Sequence, residues 1–226
     1  MINQQREMKT NSGCATIMNR ITGRTLSLLA ALAISIFSIS CHGAEKTTIL
    51  VVGDSLSSGY GLPGGQSWVD HLARDFDRRG LNVELVNDSI SGDTTAGGAA
   101  RLPDALRRIR PDWVIIELGG NDGLRGQSLQ AMEQNLLNMV RTARREGANP
   151  ALLGMRLPPN YGEKYTRGFE QVYRQVAADA EVPLLPFFIR GIENDPQMFL
   201  PDRIHPNAEA QTVIARNVGE FLRGLL

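Results

Sequence analysis

Aliphatic and β-branched residues gather in short runs, and the stretches between those runs carry a helical period. The clearest run is Ile49-Leu50-Val51-Val52, which stops abruptly at Gly53. A run without polar alternation predicts a strand buried on both faces, as in a parallel sheet covered by helices. Trp113 to Leu118 and Ala151 to Met155 repeat the pattern, and Val83 to Val86 is a shorter version. Val182 to Phe188 holds a fifth strand, but Pro183 and Pro186 confine it to an edge or to very few residues.

Between the strands the period changes. Ser67 opens a helix to about Arg79, with Trp68, Leu72, Ala73 and Phe76 at helical spacing and Gly80 as its stop. A Gly-rich loop from Ser58 to Gly65 precedes it. Asn87 to Gly98 reads as a loop rich in Ser, Gly, Asp and Thr, followed by a helix to about Arg110 that Pro111 ends. Ser128 to about Glu146 is helical. A Pro- and Tyr-bearing loop from Leu157 to Tyr165 leads to a helix from Phe169 to about Ala180. The tail from Ala208 places Val213, Ile214, Val218 and Phe221 on one helical face. Strand and helix alternate without internal repeat, so the expected architecture is a single three-layer α/β/α domain with a five-stranded parallel sheet.

The N-terminal stretch is different material. Arg20 and Arg24 precede an apolar run from Leu26 to Ile39, and small residues follow at Ser40, Gly43 and Ala44. This is the layout of a secretory signal, and the apolar core is too short for the roughly 20 residues of a membrane span. Residues 1–43 are expected to be a leader cleaved near Gly43 or Ala44, with Met18 a candidate start, and residues 44–226 the folded domain. The expected location is therefore outside the bacterial cytoplasm, periplasmic or secreted. Cys41 follows Ser38-Ile39-Ser40 and admits a lipoprotein anchor as a second reading, although Ser38 stands where such sites usually carry Leu.

Composition narrows the functions further. Of 226 residues, Lys+Arg and Asp+Glu number 24 each, and no dense basic block offers a footprint for nucleic acid. Arg101, Arg107, Arg108 and Arg110 fall on one expected helix and read as its solvated face. Both cysteines, Cys14 and Cys41, lie in or beside the leader, so the domain has no disulfide and no thiol nucleophile. With two histidines and no cysteine, it offers no convincing metal cluster, and no cofactor is expected. The expected form is a monomer acting on a small molecule.

The chemistry gathers at the ends of the strands. Gly53-Asp54-Ser55-Leu56 follows the first, Ser91-Gly92-Asp93-Thr94 the second and Gly119-Gly120-Asn121-Asp122 the third. Asp202-Arg203-Ile204-His205-Pro206 lies near the end of the chain. Right-handed crossovers bring the carboxyl ends of parallel strands to one edge, so these loops can converge. Ser55 by itself is equally a residue that caps a strand or opens a helix. As a nucleophile it needs a base, a group that orients the base, and donors for an oxyanion. His42 lies at the processing site and His71 inside an amphipathic helix, which leaves His205, with Asp202 three residues earlier. Asp202 reads either as a turn residue or as the acid that orients the imidazole. Asp54, Asp93 and Asp122 read as turn and loop braces.

These four blocks resemble the GDSL, or SGNH, hydrolase family along the whole domain. The resemblance implies a flavodoxin-like sheet, Ser55 as nucleophile, His205 as base and Asp202 as orienting acid. It also implies an oxyanion hole formed by the backbone N–H groups of Ser55 and Gly92 and the side-chain amide of Asn121. Ser-Gly-Asp-Thr at 91–94, Glu-Leu-Gly-Gly-Asn-Asp-Gly-Leu-Arg-Gly at 117–126 and Arg-Leu-Pro-Pro-Asn-Tyr-Gly at 156–162 are similar to the bacterial thioesterase I, lysophospholipase L1 and arylesterase branch. The implied activity is hydrolysis of acyl esters and thioesters, with carbohydrate deacetylation within the same family as the alternative. The resemblance also implies that Leu157, Pro158 and Tyr161 line an acyl groove, although the same residues could form a packed lid.

One rival pattern is Gly59-Tyr60-Gly61-Leu62-Pro63-Gly64, which fits the dinucleotide fingerprint G-x-G-x-x-G. Its context does not fit. Asp54 to Ser58 separate the glycines from the strand, and Pro63 with Gly64-Gly65 delays the helix that should begin there.

Overall fold

The run with the strongest apolar character becomes the centre of the sheet. In the computed structural model, which describes residues 46–226, Thr47–Gly53 is strand β1, and Ile49 to Val52 are fully buried. Burying each such side chain contributes about 1.5–3 kcal/mol, which commits this segment to the interior. The expected leader, its expected cleavage site and Cys41 lie outside the described residues.

Parallel partners flank β1: β2 (Val83–Asn87) on one side and β3 (Trp113–Glu117) on the other. Strands β4 (Asn149–Leu153) and β5 (Leu184–Leu185) extend the sheet to the order β2-β1-β3-β4-β5. The fifth strand is two residues long and at the edge, as Pro183 and Pro186 require. In this order the chain first steps one way from β1 and then the other. Right-handed crossovers therefore place α2 (Trp68–Arg78) on one face and α3 (Thr95–Ile109), α5 (Leu129–Arg145) and α6 (Glu163–Asp179) on the opposite face. The last helix, α7 (Ala208–Arg223), packs beside α2. Between β1 and β3 the direction reverses, and the crevice at the carboxyl ends there is where open α/β sheets bind ligands.

Several helix boundaries differ from expectation. Helix α3 starts at Thr95, not after Gly98: Thr94 caps it, with its hydroxyl accepting from Gly97 N. The glycine belongs inside the helix because Gly98 lies against Leu118, and a Cβ there would collide with that side chain. Helix α6 begins at Glu163, well before Phe169, after a 3₁₀ turn at Pro159–Tyr161. Two short helices went unread: α1 (Ser55–Ser58) and α4 (Gly120–Leu124). Neither is long enough to show a period. Among the described residues, no helix is long and apolar enough to cross a membrane.

Candidate active site

Both unread helices stand at the switch point. Helix α1 follows β1 directly, and Asp54 caps it by accepting from Leu56 N at 3.0 Å. Ser55 is thereby the first helical residue, set at the rim of the crevice. Helix α4 follows β3 through Gly119, whose φ of +122° and contact with Tyr173 leave no room for a Cβ. That turn carries Asn121 toward β1, where its side-chain Nδ2 donates to Asp54 Oδ2 at 3.0 Å.

The late loop supplies the partner of Ser55. His205 Nε2 lies 3.0 Å from Ser55 Oγ, and His205 Nδ1 lies 2.7 Å from Asp202 Oδ2. The other carboxylate oxygen of Asp202 accepts from the backbone N–H groups of Ile204 and His205 at 2.9 and 3.0 Å. These donors hold Asp202 well below the usual carboxylate range, at about 2, with the His205 N–H the largest cause and the imidazole next. An ionised Asp202 only accepts, so Nδ1 carries the proton and Nε2 is the acceptor that faces the Ser55 hydroxyl. Tyr60 closes this group from above, its ring centroid 4.3 Å from that of His205.

Beneath Ser55 lies a second, fully buried set of polar groups. Trp68 Nε1 donates to Ser57 Oγ at 3.1 Å, and Ser57 Oγ donates to Glu117 Oε2 at 2.5 Å. The same carboxyl oxygen accepts from Asp54 N at 3.3 Å. Glu117 Oε1 has no hydrogen-bond partner. Burial, with Asp54 nearby as the second cause, pushes Glu117 well above the usual carboxylate range. Burial also raises Asp54, to about 6, against the hydrogen bonds from Leu56 and Asn121 that lower it.

The second loop is tied in from three directions. Ser91 Oγ and Ser58 Oγ are 2.8 Å apart, and the carbonyl of Gly92 accepts from Arg125 Nη2 at 3.1 Å. Arg101 binds Asp93 Oδ2 at 2.8 Å and Asp88 Oδ2 at 2.9 Å, and its side chain is only 20 % exposed. Arg101 therefore departs from the expected solvated face. It is the clasp that holds this loop, while Arg107 and Arg108 remain at the surface. Asp122 accepts from Thr95 N and Oγ1 at 2.9 and 2.5 Å and joins α4 to α3. Asp93 and Asp122 are braces, and Asp54 is a brace at the floor.

Ser55, Asn121 and His205 open onto one cavity of about 670 Å³. Leu157 and Pro158 line it. Tyr161 is not among the lining residues. Its hydroxyl donates to the Leu124 carbonyl at 3.0 Å and pins the 157–161 loop to α4. Gly92 also lies outside the lining, in the loop that Ser91 ties to Ser58 of α1. Among the described residues, no cluster of three or more His, Cys, Asp or Glu side chains could hold a metal ion.

Glu117, Ser57, Trp68 and Tyr60 were missed by reasoning from the sequence. A carboxyl ending an otherwise apolar, doubly buried strand is a legible sign for Glu117. Tyr60 is an aromatic carried between two glycines with φ of +76° and +74°, in the segment that mimics a dinucleotide fingerprint.

Residues 51–213 match the GDSL-like Lipase/Acylhydrolase family. The esterase TesA of Pseudomonas aeruginosa is 45 % identical over 203 residues, covering 90 % of this chain and all of that one. The thioesterase 1/protease 1/lysophospholipase L1 of Escherichia coli is 41 % identical over 188 residues, covering 83 % of this chain and 89 % of that one. Among solved structures, the psychrotrophic esterase EstA from Pseudoalteromonas, inhibited by monoethylphosphonate, superposes with a TM-score of 0.77. It is 36 % identical over 79 % of this chain and 98 % of its own. With the matched segment spanning most of the sequence and Ser55 at the end of β1 meeting the late histidine, the chain belongs to the GDSL-like lipase/acylhydrolase family and is an ester hydrolase.

Proposed function

We propose that this protein hydrolyses fatty acyl esters and thioesters through a Ser55–His205–Asp202 triad. The observation that carries the reading is the unbroken line from Ser55 Oγ to His205 Nε2 at 3.0 Å and from His205 Nδ1 to Asp202 Oδ2 at 2.7 Å. Ser55 Oγ bonds to the acyl carbon as its proton passes to Nε2, and the carbonyl π electrons move to oxygen. The backbone N–H groups of Ser55 and Gly92 and the amide of Asn121 hold that oxyanion. Asn121 has one N–H engaged with Asp54 and a second N–H to give. Collapse expels the thiolate or alkoxide, which takes the proton from His205. Water then attacks the acyl-enzyme, gives its proton to Nε2, and Ser55 departs with it.

The cavity wall supports a chain longer than acetyl. Leu56, Met155, Leu157, Pro158, Phe187 and Ile189 make one side apolar, and an acetyl group would leave most of about 670 Å³ unfilled. Relatives described as esterase, thioesterase and lysophospholipase support both ester and thioester substrates. A panel of p-nitrophenyl esters and acyl thioesters from two to sixteen carbons, with Ser55→Ala as control, tests both parts. Preference for medium or long chains, with loss of turnover in the variant, is expected. Preference for acetyl esters would favour carbohydrate deacetylation.

The same proposal includes export with removal of residues 1–43. N-terminal sequencing of the mature protein from a periplasmic fraction should begin near Ala44. Palmitate labelling at Cys41 would instead indicate a lipoprotein.

A further inference from the structure

Arg203 stands at the cavity wall two residues before His205, in a backbone conformation that costs free energy. Its φ is +60°, the left-handed region in which a Cβ meets the next carbonyl and glycine is the undemanding residue. The turn holds it there from both sides. Arg203 N donates to Leu200 O at 2.8 Å, and Leu200 N donates to His205 O at 2.7 Å. Arg110 and Glu181 share that region, but of these three non-glycine residues only Arg203 lines the cavity, where its side chain can meet a substrate.

The surroundings indicate the use. Asp54, Arg156 and Glu193 also line the cavity, and each is engaged. Asp54 accepts from Asn121, Glu193 accepts from Gly191 N at 2.5 Å, and Arg156 pairs with Glu170 at 3.3 Å beneath a stack on Phe187. Arg203 is exposed, and among the described residues it is the cation of this wall without a carboxylate partner. On the triad reading, on which this inference rests, the leaving group takes its proton from His205 and so departs toward the 202–205 turn. We infer that Arg203 is a specificity-determining residue that binds a negatively charged, phosphate-bearing leaving group. A guanidinium matches phosphate oxygens in a two-pronged hydrogen bond that a neutral leaving group cannot make.

The test holds the acyl chain constant and changes the leaving group: decanoyl-CoA, a decanoyl lysophosphatidylglycerol below its micelle concentration, and neutral p-nitrophenyl decanoate. For Arg203→Gly the ratio of kcat/KM on the anionic substrates to that on the neutral ester should fall about tenfold, mainly through KM. Arg203→Lys should keep that ratio within about threefold of the wild type. In 1 M salt the wild-type ratio should fall toward that of the glycine variant. Relief of the strained turn should raise Tm of Arg203→Gly by ~2–4 °C, which shows that the variant is folded. A fall confined to the thioester identifies the nucleotide phosphates as the partner, and a fall confined to the lysophospholipid identifies the headgroup. Unchanged ratios, with p-nitrophenyl decanoate still turned over, would overturn the role of Arg203 and leave the triad standing. No Ser55-dependent turnover of p-nitrophenyl decanoate by the wild type would overturn both.

Discussion

Two carboxyl groups flank Ser55 and have been pushed in opposite directions. Asp54, at the floor, is 2 % exposed and raised to about 6, because burial outweighs its two hydrogen bonds. Asp202, at the rim, has a side chain 38 % exposed and is lowered to about 2, because two backbone N–H groups and an imidazole donate to it. Chemistry of the residue type is the same; environment differs. The rim holds a carboxylate kept ionised by donors on both of its oxygens, whereas at the floor burial works against the charged form of Asp54 and of Glu117 beneath it.

The contrast can be broken at the rim first. Asp202→Asn replaces the acceptor at Nδ1 with a group that can donate, and the imidazole then presents the wrong tautomer to Ser55. The expected loss is roughly 10³–10⁴ in kcat with little change in fold, measured by steady-state kinetics and circular dichroism. A loss below tenfold would show that the exposed carboxylate does not orient the base.

Asn121→Ala reaches the floor from the substrate side. On the proposed mechanism, in which the amide is needed only once the oxyanion forms, it should cost about 10²–10³ in kcat with KM little changed. A variant that loses binding and keeps kcat would move Asn121 from transition-state stabilisation to substrate contact.

The pH dependence of stability separates the two carboxyls directly. Folded Asp54 holds its proton more tightly than in the unfolded chain. Its contribution is thus fully present below about 4 and lost as pH rises through about 6. Urea titrations should therefore show a decline of about 1–3 kcal/mol across that window, and Asp54→Asn should flatten it. Asp202 has the opposite sign: its contribution is present above about 4 and disappears only as pH falls through about 2. Wild-type and Asp54→Asn curves that run parallel from pH 4 to 7 would show that Asp54 is not raised.

The smallest effect is expected at Glu117. Gln in its place keeps the volume and an oxygen that can accept from Ser57 and from Asp54 N, and stability at pH 7 should change by less than about 1 kcal/mol. Destabilisation above about 3 kcal/mol would mean that an ionised Glu117 is needed at the floor.

Much of this organisation was legible before folding was considered. Ile49 to Val52 could only be a doubly buried strand, and Pro183 with Pro186 could only leave a short edge. The capping residues Ser67 and Ser128 marked their helices to within a residue. His205 was singled out because acyl transfer needs a base and the chain has only three histidines, with Asp202 three residues earlier, whereas Asn121 was marked by the resemblance of its block to the family. Where periodicity was the only guide, short elements escaped: α1 and α4 span four and five residues and bear Ser55 and Asn121. Gly98 read as loop because the Leu118 side chain that demands a glycine there comes from just past a distant strand.

The sequence by itself therefore determined the order of strands and helices, the parallel sheet and the inventory of reactive groups, since these follow from local pattern and from which residue types exist in the chain. Tertiary structure alone decided that Arg101 is a clasp and not a surface charge, that Tyr60 covers His205, and that Tyr161 pins a loop without lining the cavity. It also decided which carboxyl is raised and which is lowered. Burial and hydrogen-bond donors set that balance, and both come from residues far apart in the chain, so no local pattern encodes them.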